Sequence, residues 1–302
     1  MSDLPQTEGA SPRYADIETW PSRSILDALL ENQMAAVAAV RPALPALEAA
    51  VDAAAQRLRA GGRLAYAGAG TSGRIGVQDG AELPPTFDWP RDRLLLLMAG
   101  GETALVRAVE DAEDQTDQAR IDAAPLGPPD VLIGLAASGA TPYTVACIQT
   151  ARAAGALTIG IANSPASPLL LAAEHPILLP TGPEPIAGST RMGAGTAQKV
   201  ALNLFSTLLM TRLGRVYRGQ MVDMLARNAK LRRRAVRMLC GLASVDADRA
   251  ATALAAAGGH LKIALLVLRG MSVAEAAAAL ERASGDLRRV EASGSAVRCP
   301  DS

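Results

Sequence analysis

Arg63-Leu-Ala-Tyr-Ala-Gly-Ala-Gly-Thr-Ser-Gly-Arg74 is the stretch on which the fold turns. An apolar run of strand length gives way at Gly68 to a turn rich in glycine and hydroxyls, the pattern of a strand handing over to a helix. Runs of the same kind recur at Arg93–Gly101, Asp130–Gly139, Leu157–Asn163 and His175–Pro180, and most end in Gly, Ser or Asn. Helical period fills Thr103–Asp117 and Thr141–Ala154 between them. This alternation predicts an α/β fold, a parallel sheet with helices on both faces.

Working outward, a polar, Pro-containing arm opens the chain, and an alanine-rich helical pattern follows from about Ser24, broken by Pro42 and Pro45. After the last strand a long helix is expected from about Ser189 to Gly214, with Val200, Leu204, Leu208 and Leu209 as its apolar stripe. The final 80 or so residues carry no strand signal. Arg227–Leu242, Val245–Ala257, Leu261–Arg269 and Ser272–Ala283 read as short helices broken at Gly258-Gly259 and Gly270, and Ser272-Val-Ala-Glu275 has capping-box spacing. The expected division is an arm and helix over 1–55, a sheet domain over 56–220 and a helical domain over 221–302.

Composition removes several classes of function. Thirty basic and thirty acidic residues in 302 leave no net charge, so no electrostatic footprint for nucleic acid or an acidic membrane surface exists. Aromatic residues make up 3%, too few for base-stacking platforms. Cys147, Cys240 and Cys299 lie far apart and His175 and His260 stand alone, which argues against a disulfide framework, a metal site and a Ser-His-Asp triad. The first residues, Met-Ser-Asp-Leu-Pro-Gln-Thr-Glu, show no signal-peptide pattern, and no apolar run approaches the ~18 residues of a membrane span. A cytoplasmic location is expected.

In an open parallel sheet, ligands bind at the carboxyl ends of the strands. The first such turn, Gly68-Ala-Gly-Thr-Ser-Gly-Arg74, matches GxGxxG. A dinucleotide site also needs an acidic residue ending the second strand. Here that strand ends Met98-Ala-Gly-Gly101, with Glu102 only after the turn. Backbone N–H groups together with the Thr71 and Ser72 hydroxyls suit a phosphate monoester better. The third strand ends in a similar loop, Ala136-Ala-Ser-Gly-Ala-Thr-Pro142, in which Ser138 and Thr141 have N-cap chemistry and Pro142 fits the first helical position. A third polar turn, Gly188-Ser-Thr-Arg191, opens the long helix. Two acidic sites complete the candidates. Glu82 is expected to close the helix after the first loop, where the negative end of the dipole favours a protonated acid. The run Glu110-Asp-Ala-Glu-Asp114 is expected late in the helix after the second strand.

Together these motifs resemble the N-acetylmuramic acid 6-phosphate etherases. The matching elements begin with Thr7-Glu-Gly9, Gly68–Arg74, Asp79-Gly-Ala-Glu-Leu-Pro-Pro-Thr86, Ala99-Gly-Gly101 and Ala108-Val-Glu-Asp-Ala-Glu-Asp114. They continue through Ala136–Tyr143, Gly188-Ser-Thr-Arg-Met192, Gly195-Thr-Ala-Gln-Lys199 and Met221-Val-Asp223, so the resemblance spans roughly residues 7–290. It implies a sugar isomerase (SIS) domain, an αβα sandwich with a five-stranded parallel sheet, an N-terminal helical segment and a helical C-terminal extension. It further implies a homodimer, an amino sugar phosphate as the small-molecule substrate, and no metal or other cofactor. The family's two catalytic glutamates fall on Glu82 and Glu113. Phosphate recognition falls on Ser72, Ser138, Gly139 and Thr141, with Thr71, Ser189 and Thr190 beside them. Lys199 matches the pattern without an assigned role. The family often carries a lysine after Arg-Met, where this chain has Gly193. An aldose–ketose isomerase and a non-catalytic sugar-phosphate sensor on the same fold are the alternatives.

Overall fold

The computed structural model describes residues 6–226 and 228–293, with the side chain of Gln6 left aside. The first five residues of the leader reading, Arg227 at the head of an expected helix, and Cys299 lie outside them. The chain packs as two compact units. One comprises the residues up to Ala81 together with Arg91–Ser206, and the other comprises Glu82–Pro90 with the described residues from Thr207 on.

The first unit is built on five parallel strands, β1 Leu64–Gly68, β2 Leu94–Met98, β3 Val131–Ala136, β4 Leu157–Ala162 and β5 His175–Leu178, in the order β2-β1-β3-β4-β5. The five runs read from the sequence are these strands. β1, β3 and β4 are buried along their whole length, which is why they read as unbroken apolar runs. β2 and β5 form the edges, and β5 carries Pro176, tolerated there because its missing N–H faces no further strand. On one face, Ala65, Ala67 and Leu132 pack with Ala119 and Ala123 of α5 (Thr116–Ala123) and with Ile148 and Ala151 of α6 (Pro142–Ala153). Alanine on both sides lets these helices lie close to the sheet. α2 (Leu44–Arg59) packs against β3, β4 and β5, burying Leu47, Ala50, Val51, Ala54 and Leu58.

A partly buried ion pair ties together the starts of β1 and β3. The Asp130 carboxylate accepts from the Arg63 backbone N–H at 2.7 Å, from Arg63 Nη2 at 2.7 Å and from the Gly127 N–H at 2.9 Å. Burial alone would raise its pKa, yet the Arg63 bonds and charge bring it below the usual carboxylate range. Stability from this group is therefore complete at neutral pH and is lost as pH falls through the depressed value. Asp130→Asn is expected to cost about 1–3 kcal/mol at pH 7. Thermal melts of the two proteins should converge as the pH is lowered through the acid range.

Several expectations need correction. The helix expected over Thr103–Asp117 is three pieces: α4 (Thr103–Val106), a 3-10 turn at Ala112–Asp114, and α5. The break has a backbone cause, since Arg107 is extended and Asp111 takes a left-handed φ of 56°. The helix after β1, α3 (Gly70–Phe87), does not stop at Glu82 but runs through Pro84 and Pro85. Proline's fixed φ is helical, and the two missing N–H groups remove only the bonds to Gly80 and Ala81. α8 (Gly193–Arg212) is the long helix, but its buried side is Ala194, Ala197, Ala201, Leu202, Phe205 and Leu209, while Leu204 is 44% exposed. By length and composition the helical stretch Ser22–Arg59 could cross a bilayer, contrary to the expectation that no apolar run is long enough. Its second half is claimed instead by the sheet, through the α2 face. Its first half, α1 (Ser22–Ala38), leaves Leu26, Leu30, Met34 and Val37 exposed at helical spacing.

The second unit contains a tight hairpin, β6 (Val216–Tyr217) and β7 (Gln220–Met221), turned by Arg218 and Gly219, both at positive φ. Among the described residues five short helices follow: α9 (Ala229–Ala243), α10 (Ala247–Ala256), α11 (Leu261–Leu268), α12 (Val273–Arg282) and α13 (Leu287–Ala292). Asn228, Asp246, Ser272 and Asp286 cap four of them with their side chains, and Ser272 with Glu275 forms the expected capping box. Asp223, from the Met221-Val-Asp223 match, is a structural anion here: it holds buried Lys262 at 2.7 Å and Arg215 at 3.5 Å. Arg215 in turn donates to the Phe87 and Asp88 carbonyls at the end of α3.

Candidate active site

β1 and β3 are neighbours whose crossovers leave in opposite directions, to β2 and to β4, so a crevice opens between their carboxyl ends. A cavity of about 320 Å³ occupies it. Ala69–Ser72 at the start of α3 form one wall, and Ala137, Ser138 and Ala140–Pro142 at the start of α6 form the facing one. Thr190 enters from the loop before α8, and Glu113 and Asp114 from the 3-10 turn.

Of the residues expected at the site, Thr71, Ser72, Glu113, Ser138, Thr141 and Thr190 line this cavity; Glu82, Gly139 and Ser189 do not. Gly139 works from below. Its φ is +67°, and a Cβ there would lie 2.1 Å from Ser167 Oγ, so only glycine lets the loop fold down and present Ser138 and Thr141. Thr141 stands at the N-cap of α6 but spends no hydroxyl bond on the cap, while Ser138 Oγ accepts from the Ala140 N–H at 3.2 Å. Among the described residues the Thr71, Ser72 and Thr190 hydroxyls also make no internal hydrogen bond. The cavity thus presents a set of donors without a cation, an arrangement for a phosphate monoester held by hydroxyls and helix N-termini.

Three carboxylates face the same space, Glu8, Glu113 and Asp114, and their side chains have no hydrogen-bond or ion-pair partner among the described residues. Glu8 was visible in the sequence only as part of the Thr7-Glu-Gly9 match; the fold brings the arm to the crevice, where a Cβ on Gly188 would lie 3.1 Å from a Glu8 carboxylate oxygen. A second cavity of about 240 Å³ adjoins the first and shares Ala69, Gly70 and Glu113 with it. Glu82 is exposed and lines neither cavity.

Beneath α3 a buried polar group anchors the loop helix. Burial holds the pKa of Asp79 above the usual carboxylate value, opposed only in part by hydrogen bonds from Tyr66 Oη at 2.9 Å and Ser206 Oγ at 3.1 Å and by the Lys199 charge. This gives Lys199 an electrostatic role toward Asp79. The N-terminus of α8 is fixed by buried Glu184, whose carboxylate accepts from the Gly193 and Ala194 N–H groups at 2.9 and 2.8 Å. Gly193, where the family often has lysine, is packed so that a Cβ would sit 2.9 Å from Asn32 Oδ1. In this chain Asn32 occupies the space a longer side chain would enter.

Comparison with known proteins agrees with this architecture. Residues 46–152 match the model of the glucokinase regulatory protein N-terminal SIS domain, and residues 103–208 match that of the SIS domain. A proposed phosphosugar isomerase involved in capsule formation from Bacteroides fragilis shares the fold, with a TM-score of 0.51 and 22% identity over 64% of this chain and 91% of that one. The N-acetylmuramic acid 6-phosphate etherase of Deinococcus radiodurans is 50% identical over 98% of both chains. That of Symbiobacterium thermophilum is 48% identical over 87% of this chain and 88% of its own. With identity at this level along nearly its whole length, and an SIS sheet whose crevice carries the expected hydroxyl loops, the chain belongs to the N-acetylmuramic acid 6-phosphate etherase family.

Proposed function

We propose that this chain cleaves the D-lactyl ether of N-acetylmuramic acid 6-phosphate, yielding N-acetylglucosamine 6-phosphate and D-lactate in the recycling of cell-wall sugar. The observation that carries the reading is Glu113, an unpartnered carboxylate on the wall of a cavity otherwise furnished with phosphate-type donors. The 6-phosphate sits on Thr71, Ser72, Ser138, Thr141 and Thr190, which fixes the sugar with C2 toward Glu113. Ring opening exposes the C1 aldehyde, and the C2 proton becomes acidic because its carbanion is an enolate. Glu113 takes that proton, the C2–C3 double bond forms, and the C3–O bond breaks with its electron pair leaving on the lactyl oxygen. Glu82 protonates that oxygen. It then takes a proton from water as hydroxide adds to C3, and Glu113 returns a proton to C2. The sum is substrate plus water to two products, and no step calls for a metal or a redox group.

Glu82 reaches the reaction from a second copy of the chain. Support for this comes from its exposure and its absence from the cavity wall that carries Glu113. The exposed Leu26, Leu30, Met34 and Val37 stripe of α1 supplies an apolar face for a homodimer. A phosphorylated sugar does not cross a bilayer unaided, so the reading places the enzyme in the cytoplasm. The purified protein should convert N-acetylmuramic acid 6-phosphate to D-lactate and N-acetylglucosamine 6-phosphate in equal amounts. It should leave glucose 6-phosphate and fructose 6-phosphate unconverted. Interconversion of those hexose phosphates without lactate would make it an isomerase, and tight sugar-phosphate binding with neither reaction would make it a sensor.

A further inference from the structure

The substrate of the proposed reaction has two anionic ends, a phosphate on C6 and the carboxylate of the lactyl group on C3. The hydroxyl-lined cavity accounts for the first. Nothing in it suits the second, because its only charged side chains are Glu8, Glu113 and Asp114. The adjoining cavity differs in kind. It is lined by Arg74 and Arg107, the only cationic side chains on the wall of either cavity. Glu113 belongs to both walls. C3 is bonded to C2, so a sugar whose C2 proton faces Glu113 must carry its lactyl group into the space next to Glu113 that the phosphate does not occupy. We propose that this second cavity is the lactyl subsite and that Arg107 binds the lactyl carboxylate there.

The inference rests on the etherase reading for the identity of the ligand and on the geometry for its place. Arg74 and Arg107 have separate roles. Arg74 Nε donates to the Ala104 and Leu105 carbonyls at 3.0 and 3.1 Å, and Arg74 Nη2 to the Arg107 carbonyl at 3.4 Å. It is committed to holding the short α4 turn in place. Arg107 follows that turn, is exposed, and its guanidinium has no partner among the described residues. An unpaired guanidinium fixed by its backbone at the rim of a cavity is a ready bidentate partner for a carboxylate. Glu110 and Asp111 line the same cavity, so its field is not uniformly positive. The contact with Arg107 must therefore be direct to be favourable, and a lysine in its place would lose the fork geometry. The subsite would also distinguish substrate from product: N-acetylglucosamine 6-phosphate has the phosphate and the acetamido group but no carboxylate for Arg107.

The test compares Arg107→Ala and Arg107→Lys with the parent enzyme. For N-acetylmuramic acid 6-phosphate, KM is expected to rise about tenfold or more in Arg107→Ala, with partial recovery in Arg107→Lys. Inhibition by N-acetylglucosamine 6-phosphate should stay within about twofold of the parent value, which also shows that Arg107→Ala is folded. The methyl ester of the lactyl carboxylate should bind the parent enzyme as weakly as Arg107→Ala binds the acid, and should bind the two proteins equally. Equal loss for substrate and product, or no loss for either, would overturn the subsite. If the parent protein released no lactate the reaction itself would be wrong. Calorimetric binding of the acid, its methyl ester and the product to parent and variant would still decide whether Arg107 reads the carboxylate.

Discussion

Glu113→Ala is expected to lower kcat for lactate release by about 10³–10⁴-fold while changing KM little, because in the proposed mechanism the residue moves a proton rather than holding the phosphate. The same variant should lose exchange of the C2 hydrogen of N-acetylglucosamine 6-phosphate with deuterated water, a step that needs only the base and the open-chain aldehyde. Glu82→Ala should behave differently: lactate release falls, while C2 exchange of the product persists at a rate close to that of the parent enzyme. Proton NMR of the product in deuterated buffer reads both. Exchange lost in Glu82→Ala and kept in Glu113→Ala would exchange the two roles.

The second large effect concerns the pair. If each site joins Glu113 of one subunit to Glu82 of its partner, Glu113→Gln and Glu82→Gln homodimers are both inactive, and each fails for a different reason. A mixed dimer then contains one site with both carboxylates intact and one with neither. Dissociating the two inactive proteins together and reassociating them should restore activity, to about a quarter of the parent level for random pairing among all dimers, since half are mixed and each of those has one working site. No recovery, with mixed dimers shown to have formed, would mean that both carboxylates act from one chain. Leu30→Asp, which puts a charge on the exposed α1 stripe, should shift the protein toward monomer in sedimentation and reduce activity with it.

The parts of this molecule legible in the sequence are those where local pattern and tertiary demand coincide. The five strands are such a case: a parallel strand buried on both faces has to be an apolar run, and Leu132, Ile133 and Leu135 of β3 could hardly be anything else. The hydroxyl loops are another, because the turns at strand ends need the same glycines and small polar residues that a phosphate site needs. Legibility failed where a long-range requirement overrode local preference. Glu110–Asp114 sits in good helical context, yet the chain leaves helix at Arg107 and bends at Asp111, and the bend is what presents Glu113 to the crevice. On α8 the large side chains of the expected stripe are not the packing face. In an alanine-rich chain the close contacts run through Ala194, Ala197 and Ala201, and Leu204 is left outside. Arg107 carries no signal at all, and Glu8 only its place in the Thr7-Glu-Gly9 match. Each is an ordinary charged residue until the fold sets it beside a cavity.

In the proposed reaction the ether breaks on the sugar side of its oxygen, by elimination and then addition of water. Running the reaction to completion in water enriched in both deuterium and oxygen-18, and analysing both products by mass spectrometry, tests it most directly. The expected result is oxygen-18 in the C3 hydroxyl of N-acetylglucosamine 6-phosphate, deuterium at its C2, and D-lactate whose hydroxyl oxygen is unlabelled. Oxygen-18 in the lactate hydroxyl, with C2 still carrying its original hydrogen, would contradict it.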